Sequence, residues 1–124
     1  MNARKESTST SQWLHPSILL TVCVFIVSHL PLPEGTLPAD LGTGVGDKVP
    51  HAVVYGGLTL LYLLALATRG QPLWRTAAVV ALVLGLGALD EVTQLPVGRS
   101  CSLRDFLADA IGVCVAGSAW LVWR

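Results

Sequence analysis

Four long apolar runs alternate with short polar segments along this chain, and they cover about residues 13–32, 49–68, 73–89 and 103–123. A helix rises about 1.5 Å per residue, so a run of about 20 residues crosses a hydrocarbon core of about 30 Å. Only helices and closed barrels satisfy every backbone group in lipid, and barrel strands span only about ten alternating residues. The pattern therefore predicts an all-α, polytopic membrane protein, a bundle of four transmembrane helices within residues 13–124.

The segments between the runs contain residues that end helices. Residues 33–46 are dense in glycine and proline and predict a loop, and residues 69–72 turn the chain between the second and third runs. Residues 1–12 are polar and predict a cytoplasmic tail, while residues 90–102 predict a polar loop. The first run could instead be a signal peptide, because a basic start precedes it. No A-x-A cleavage pattern follows it, which favours a retained helix.

Composition supports a lipid environment. The chain is 52% hydrophobic and 13% charged, with a mean hydropathy of +0.62, whereas soluble domains are about 25% charged. Eight basic residues balance eight acidic ones, which argues against nucleic acid as a partner. Of the three cysteines, Cys23 and Cys114 fall in apolar runs and Cys101 in the polar loop, so no disulfide framework is predicted.

Basic residues are distributed unequally between the two sides of such a bundle. The side with both termini carries Arg4, Lys5, Arg69, Arg75 and Arg124, and the opposite side carries Lys48, Arg99 and Arg104. The positive-inside rule therefore places both termini in the cytoplasm. The polar residues concentrate at the opposite edge, so we expect any chemistry to face the outside.

The second run opens with polar residues at helical spacing. Asp47, His51 and Tyr55 recur every four residues and share one helix face, and Lys48 stands beside them. A structural interpretation is equally open, in which Asp47 caps the helix and the other side chains lie at the membrane interface.

The third run ends in Asp90, Glu91 and Gln94. Acidic groups are unfavourable at a helix C-terminus, so they need compensation from Lys48, Arg99 or a bound cation. A structural salt bridge is the alternative to a functional site.

The fourth run begins with Ser102 and Asp105, which fit a capping box. Asp109 lies one turn deeper in an apolar helix, where capping does not explain it. Intramembrane carboxylates face a partner or a cavity, so Asp109 is a candidate functional residue.

These polar residues, on three apolar helices, resemble the VanZ-like family over about residues 47–117. The match is carried by Asp47 to Tyr55, by Glu91 and Gln94 in an acid-x-x-glutamine pattern, by Arg99, and by Asp105, Asp109 and Gly112. The family commonly has asparagine where this chain has Asp109. The resemblance implies a bacterial cell-membrane protein, and the family takes its name from a member linked to resistance to the glycopeptide teicoplanin.

One functional hypothesis is therefore a cell-envelope factor that binds or modifies a polar or lipid-linked ligand, such as an envelope precursor or a glycopeptide, at the outer face of the membrane. His51 would act as base or donor, Glu91 and Asp105 as acid/base groups or cation ligands, and Arg99 as an anion clamp. The remaining ligand-binding candidates are Asp47, Lys48, Tyr55, Gln94 and Asp109.

Other functions stay open. The same polar residues could lock the helices together in a non-catalytic membrane module, and intramembrane carboxylates also occur in transporters. Four helices without a repeat give no obvious path for alternating access. No cofactor is evident, although one histidine with several carboxylates could hold a divalent cation without any H-x-x-x-H or C-x-x-C spacing.

Overall fold

The computed structural model describes residues 3–30, 45–67, 70–97 and 102–124, with side chains from residue 12 in the first segment and from residue 48 in the second. Four long helices account for most of them: α1 (Ala3–His29), α2 (Val45–Leu66), α3 (Leu73–Thr93) and α4 (Leu103–Trp123), with a short 3-10 turn at Leu95–Val97. These described segments contain no β-strand. All four helices are long and apolar enough to cross a membrane, which confirms the predicted all-helical class.

Three helices are longer than the apolar runs that predict them: α2 begins at Val45, inside the predicted loop, and the larger extensions are in α1 and α3. The first, α1, begins at Ala3, so most of the predicted polar tail is helical. Extending an existing helix is far easier than starting one, and polar residues can follow the apolar segment outward. Helix α3 continues to Thr93 and includes Asp90 and Glu91, which the sequence places at the edge of a loop. Partners from other elements compensate these carboxylates, as described below.

The centre of the bundle is α2, which packs most extensively against α4 and also contacts α1 and α3. Its side chains Tyr55, Leu58 and Leu63 are fully buried together with Val83 of α3 and Val113 of α4. By contrast, only 6% of the apolar window of α1 is buried, against 39% for α2 and α4. The core is therefore a three-helix unit, and α1 lies on its outside.

The outer surface of this bundle is apolar. Large aliphatic side chains such as Val53, Leu60, Val115 and Val122 are exposed, while several polar and charged groups are buried inside. Water-soluble proteins rarely expose continuous apolar surface on this scale. The distribution suits a protein surrounded by lipid.

Candidate functional site

Polar side chains converge at one end of the bundle, where α1 and α3 end and α2 and α4 begin. They form two clusters and one ion pair. The first, the His51 cluster, consists of His51, Tyr55, Glu91 and Asp109, from α2, α3 and α4. The second, the Ser28 cluster, consists of Ser28, His29, Asp90, Thr93 and Gln94, which join α1 to the end of α3.

The His51 cluster brings together three side chains that lie far apart in sequence. The His51 Nδ1 atom lies 3.0 Å from Asp109 Oδ1. One potential ligand atom from each of His51, Glu91 and Asp109 lies within 4.8 Å of the others. Both carboxylates are buried, with Glu91 3% and Asp109 1% exposed. The site is thus a nitrogen and two carboxylates enclosed by three helices.

Two buried oxygens of this cluster lack a hydrogen-bond partner among the described residues: Asp109 Oδ2 and the Tyr55 hydroxyl. A Cβ at Gly87 would lie 3.3 Å from Tyr55 Cε1 and 3.5 Å from Asp109 Oδ2, so the edge of the Tyr55 ring and Asp109 Oδ2 border the same small space next to α3. A buried polar atom without a partner costs about 1–3 kcal/mol, and such atoms are few in native proteins. These two therefore require an explanation.

Glu91 also ties the end of α3 to the start of α4. Its Oε2 atom accepts a hydrogen bond from the Ser102 backbone N–H at 2.9 Å. Ser102 caps α4 as the sequence predicts, because its hydroxyl accepts from the Asp105 N–H at 3.4 Å. The capping box is only half formed, however, since the Ser102 N–H goes to Glu91 and the Asp105 carboxylate pairs with Lys48.

The Lys48–Asp105 ion pair joins the starts of α2 and α4 at the edge of the His51 cluster. The two side chains are 28% and 19% exposed, so the pair is less enclosed than the cluster itself. The sequence offers Lys48 as a counter-charge for the acids at the end of α3, whereas the contact seen is with Asp105 on α4. Asp105 therefore lies beside the cluster with its carboxylate already held by a cation.

The Ser28 cluster compensates the other acidic residue at the end of α3. Ser28 Oγ donates to Asp90 Oδ1 at 2.5 Å, and Gln94 Nε2 donates to Asp90 Oδ2 at 3.2 Å. His29 Nδ1 lies 3.7 Å from Asp90 Oδ1, and its Nε2 lies 3.0 Å from Thr93 Oγ1. Both oxygens of Asp90 thus have hydrogen-bond donors, unlike Asp109.

The structure separates the residues that sequence reasoning groups into one pocket. His51, Tyr55, Glu91 and Asp109 come together, Lys48 and Asp105 form the neighbouring ion pair, and Gln94 belongs to the Ser28 cluster. Arg99 and the Asp47 side chain lie outside the described residues. Ser28, His29 and Thr93 were missed, although two polar residues at the end of an apolar run are a signal that could have indicated them.

Comparison with protein-family models, with curated proteins and with solved structures finds no match. The VanZ-like resemblance remains a prediction from the residues named above.

Proposed function

We propose that this chain is a multi-pass protein of the bacterial cell membrane whose His51 cluster binds a polar or lipid-linked ligand of the cell envelope at the outer face. The observation that carries the proposal is the pair of buried oxygens, Asp109 Oδ2 and the Tyr55 hydroxyl, that have no partner among the described residues. Groups that served only to hold helices together would be expected to satisfy one another.

The contrast with the Ser28 cluster supports this view. Both Asp90 oxygens are satisfied there, one by Gln94 at the end of the same helix and one by Ser28, whose bond connects α1 to α3 as expected of a helix lock. The His51 cluster instead retains free hydrogen-bonding capacity on Asp109, a residue 1% exposed. We therefore assign the locking role to the Ser28 cluster and the binding role to the His51 cluster.

The distribution of basic residues supports the orientation with both termini in the cytoplasm. Arg124, which donates to the Gln71 carbonyl at 2.6 Å, lies at the end of the bundle opposite the His51 cluster. Trp74, Trp120 and Trp123 lie at the same end, but aromatic residues occur at both membrane interfaces and do not decide the orientation. The positive-inside rule assigns the more basic end to the cytoplasm. The His51 cluster would then open toward the outside, where lipid-linked envelope precursors and glycopeptides are found.

Within the site, His51 is the candidate base, because the Asp109 carboxylate orients its ring and would stabilise its charged form. Glu91 is the candidate acid or ligand. Asp105 is paired with Lys48 and is therefore better suited to shaping the electrostatic potential at the site than to transferring a proton. These acid/base roles are the part of the proposal that predicts modification of the ligand as well as binding.

The test uses a teicoplanin-sensitive bacterial strain that expresses the wild-type chain, Glu91→Gln or Arg104→Gln. Arg104 is an exposed residue of α4 outside the His51 cluster and provides the control. We expect wild type and Arg104→Gln to raise the inhibitory concentration of teicoplanin, and Glu91→Gln to lose the effect at equal membrane abundance. No rise with wild type, or an unchanged rise with Glu91→Gln, would contradict the proposal.

A non-catalytic helix lock is the second candidate for the whole protein, and the Ser28–Asp90 hydrogen bond favours it. If it were correct, Glu91→Gln would reduce membrane abundance, and any effect on resistance would follow abundance. Immunoblots of the membrane fraction in the same experiment separate the two functions.

A further inference from the structure

We propose that the His51 cluster binds a divalent transition-metal cation, with a ring nitrogen of His51 and one carboxylate oxygen each of Glu91 and Asp109 as ligands. This inference rests on the proposed function in taking the same cluster as the ligand site, and it names the class of ligand bound there first. The argument uses the geometry, the charge and the unsatisfied atoms of the cluster.

The geometry fits a single ion after a small adjustment. The three ligand atoms lie within 4.8 Å of one another. Nitrogen and oxygen ligands bind ions such as Zn²⁺ at about 2.0–2.2 Å, so ligand atoms around one ion lie about 3–4 Å apart. The three side chains therefore need to close by about 1 Å, which rotation about their outer bonds can supply.

The charge of the cluster also favours a dication. Glu91 and Asp109 are both carboxylates, and both are almost completely buried among apolar helices. Buried charges are stabilised by pairing or by coordinating a metal. A divalent cation balances two carboxylates, whereas a protonated His51 contributes one positive charge.

The unsatisfied atoms point into the same place. Asp109 Oδ1 lies 3.0 Å from His51 Nδ1, while Asp109 Oδ2 has no hydrogen-bond partner within the described segments. The ring edge of Tyr55, a side chain 2% exposed, borders Asp109 Oδ2 across the space left by Gly87, and the Tyr55 hydroxyl also has no hydrogen-bond partner among these residues. A bound cation, with a water in its remaining coordination sphere, gives both oxygens a partner.

The ligand set indicates which cations to expect. Imidazole nitrogen with carboxylate oxygens suits Zn²⁺ and Mn²⁺, whereas Mg²⁺ and Ca²⁺ prefer oxygen alone. Three protein ligands leave at least one coordination position open. That position would accept an anionic oxygen of an envelope ligand, so the cation would link the protein site to its substrate.

The experiment uses the full chain, purified in detergent and treated with chelator, and titrates it with Zn²⁺, Mn²⁺ and Mg²⁺ by calorimetry. We expect about one Zn²⁺ or Mn²⁺ per chain and a higher unfolding temperature with metal, with weaker binding of Mg²⁺. Asp109→Asn and Glu91→Gln keep the shape of the side chains and should weaken binding at least about tenfold. Arg104→Gln, the exposed control on α4, should bind like wild type.

A visible absorption spectrum with Co²⁺ provides a second readout in wild type alone, so the test does not depend on how well a variant folds. Absence of both stoichiometric binding and a Co²⁺ spectrum in folded wild type would overturn the inference, as would variants that bind with wild-type affinity. The outcome is separate from that of the resistance assay. Loss of resistance in Glu91→Gln without any metal binding by wild type would retain the envelope site and reject the cation.

Discussion

Gly112 of α4 lies directly against the backbone of Ala52 in α2, where a Cβ on Gly112 would be 2.8 Å from the Ala52 carbonyl carbon. Real Cβ atoms essentially never come so close to another heavy atom. Gly56, one turn further along α2, also faces Gly112, because its own Cβ would lie 3.2 Å from the Gly112 oxygen. The contact lies one residue from His51 and three from Asp109, so it holds the two helices together next to the His51 cluster.

Replacing Gly112 with alanine should destabilise the bundle. The new methyl group meets backbone and cannot be accommodated by rotating a side chain, so α2 and α4 must separate. Overpacking of this kind costs about 1–3 kcal/mol or more. Thermal unfolding in detergent, monitored by circular dichroism, measures the effect.

Gly57→Ala is the control for that substitution, because nothing lies within 4 Å of a Cβ at Gly57. It should keep or raise the unfolding temperature, because alanine is favoured over glycine inside a helix. Equal losses in the two variants would mean that the contact with Ala52 does not determine the effect.

The Ser28–Asp90 hydrogen bond should contribute to holding α1 on the three-helix core. Ser28→Ala, Asp90→Asn and the double variant form a cycle that isolates the coupling between the two side chains. Hydrogen bonds between membrane helices average about 0.6 kcal/mol and reach about 1.7 kcal/mol. We expect the coupling between Ser28 and Asp90 to fall within that range.

Unfolding in bicelles measures the free energy of unfolding of wild type, of the two single variants and of the double variant. The metal affinity of the Ser28→Ala variant should equal that of wild type, because Ser28 belongs to the other cluster. A coupling energy near zero would show that α1 is held by apolar packing and by contacts such as the 3.1 Å bond between Thr21 and Tyr62.

Thr76→Val should keep or increase stability. The Thr76 hydroxyl is buried and has no partner among the described residues, and valine has nearly the same shape without the polar atom. Removing an unpaired buried hydroxyl recovers part of a penalty of about 1–3 kcal/mol. Thr59→Val is the comparison, since the Thr59 hydroxyl donates to the Tyr55 carbonyl at 2.7 Å and should not show a gain. A loss with Thr76→Val would indicate a hydrogen bond to a group outside the described chain.

Cys101 should react with a membrane-impermeant thiol reagent in intact cells. The assay uses a variant with alanine at positions 23 and 114; both native thiols are exposed on the surface of the bundle, so we expect the replacement to be well tolerated. Labelling from outside would agree with cytoplasmic termini and an outward-facing His51 cluster. Labelling only after lysis would reverse the topology and favour a cytoplasmic ligand.

The four apolar helices could be predicted from hydropathy alone, because a span needs only length and composition. Helical spacing places His51 and Tyr55 on one face, and the cost of a carboxylate in an apolar helix singles out Asp109. The contact of these residues with one another and with Glu91 depends on how three helices pack, and periodicity within one helix carries no such information. Spacing marks Gly85 as readily as Gly112, yet of these two only Gly112 meets a neighbouring backbone at close range.

The role of α1 could not be predicted for a related reason. Ser28 and His29 read as the polar end of an apolar run until Asp90, 62 residues away from Ser28, is placed beside them. Asp90 and Glu91 are adjacent in sequence but point to different clusters, because successive residues of a helix face directions about 100° apart. Sequence reasoning therefore places Glu91 in the candidate pocket but does not find the separate partners of Asp90.

The backbone contact at Gly112 also bears on how strongly the His51 cluster could bind. Because α2 and α4 touch through their main chains, they have little freedom to drift apart at this level, and His51 and Asp109 stay close before any ligand arrives. The conformational entropy lost in assembling the cluster is then lost during folding and not during each binding event. The affinity of the site is set in part by a residue that has no side chain and contacts no ligand.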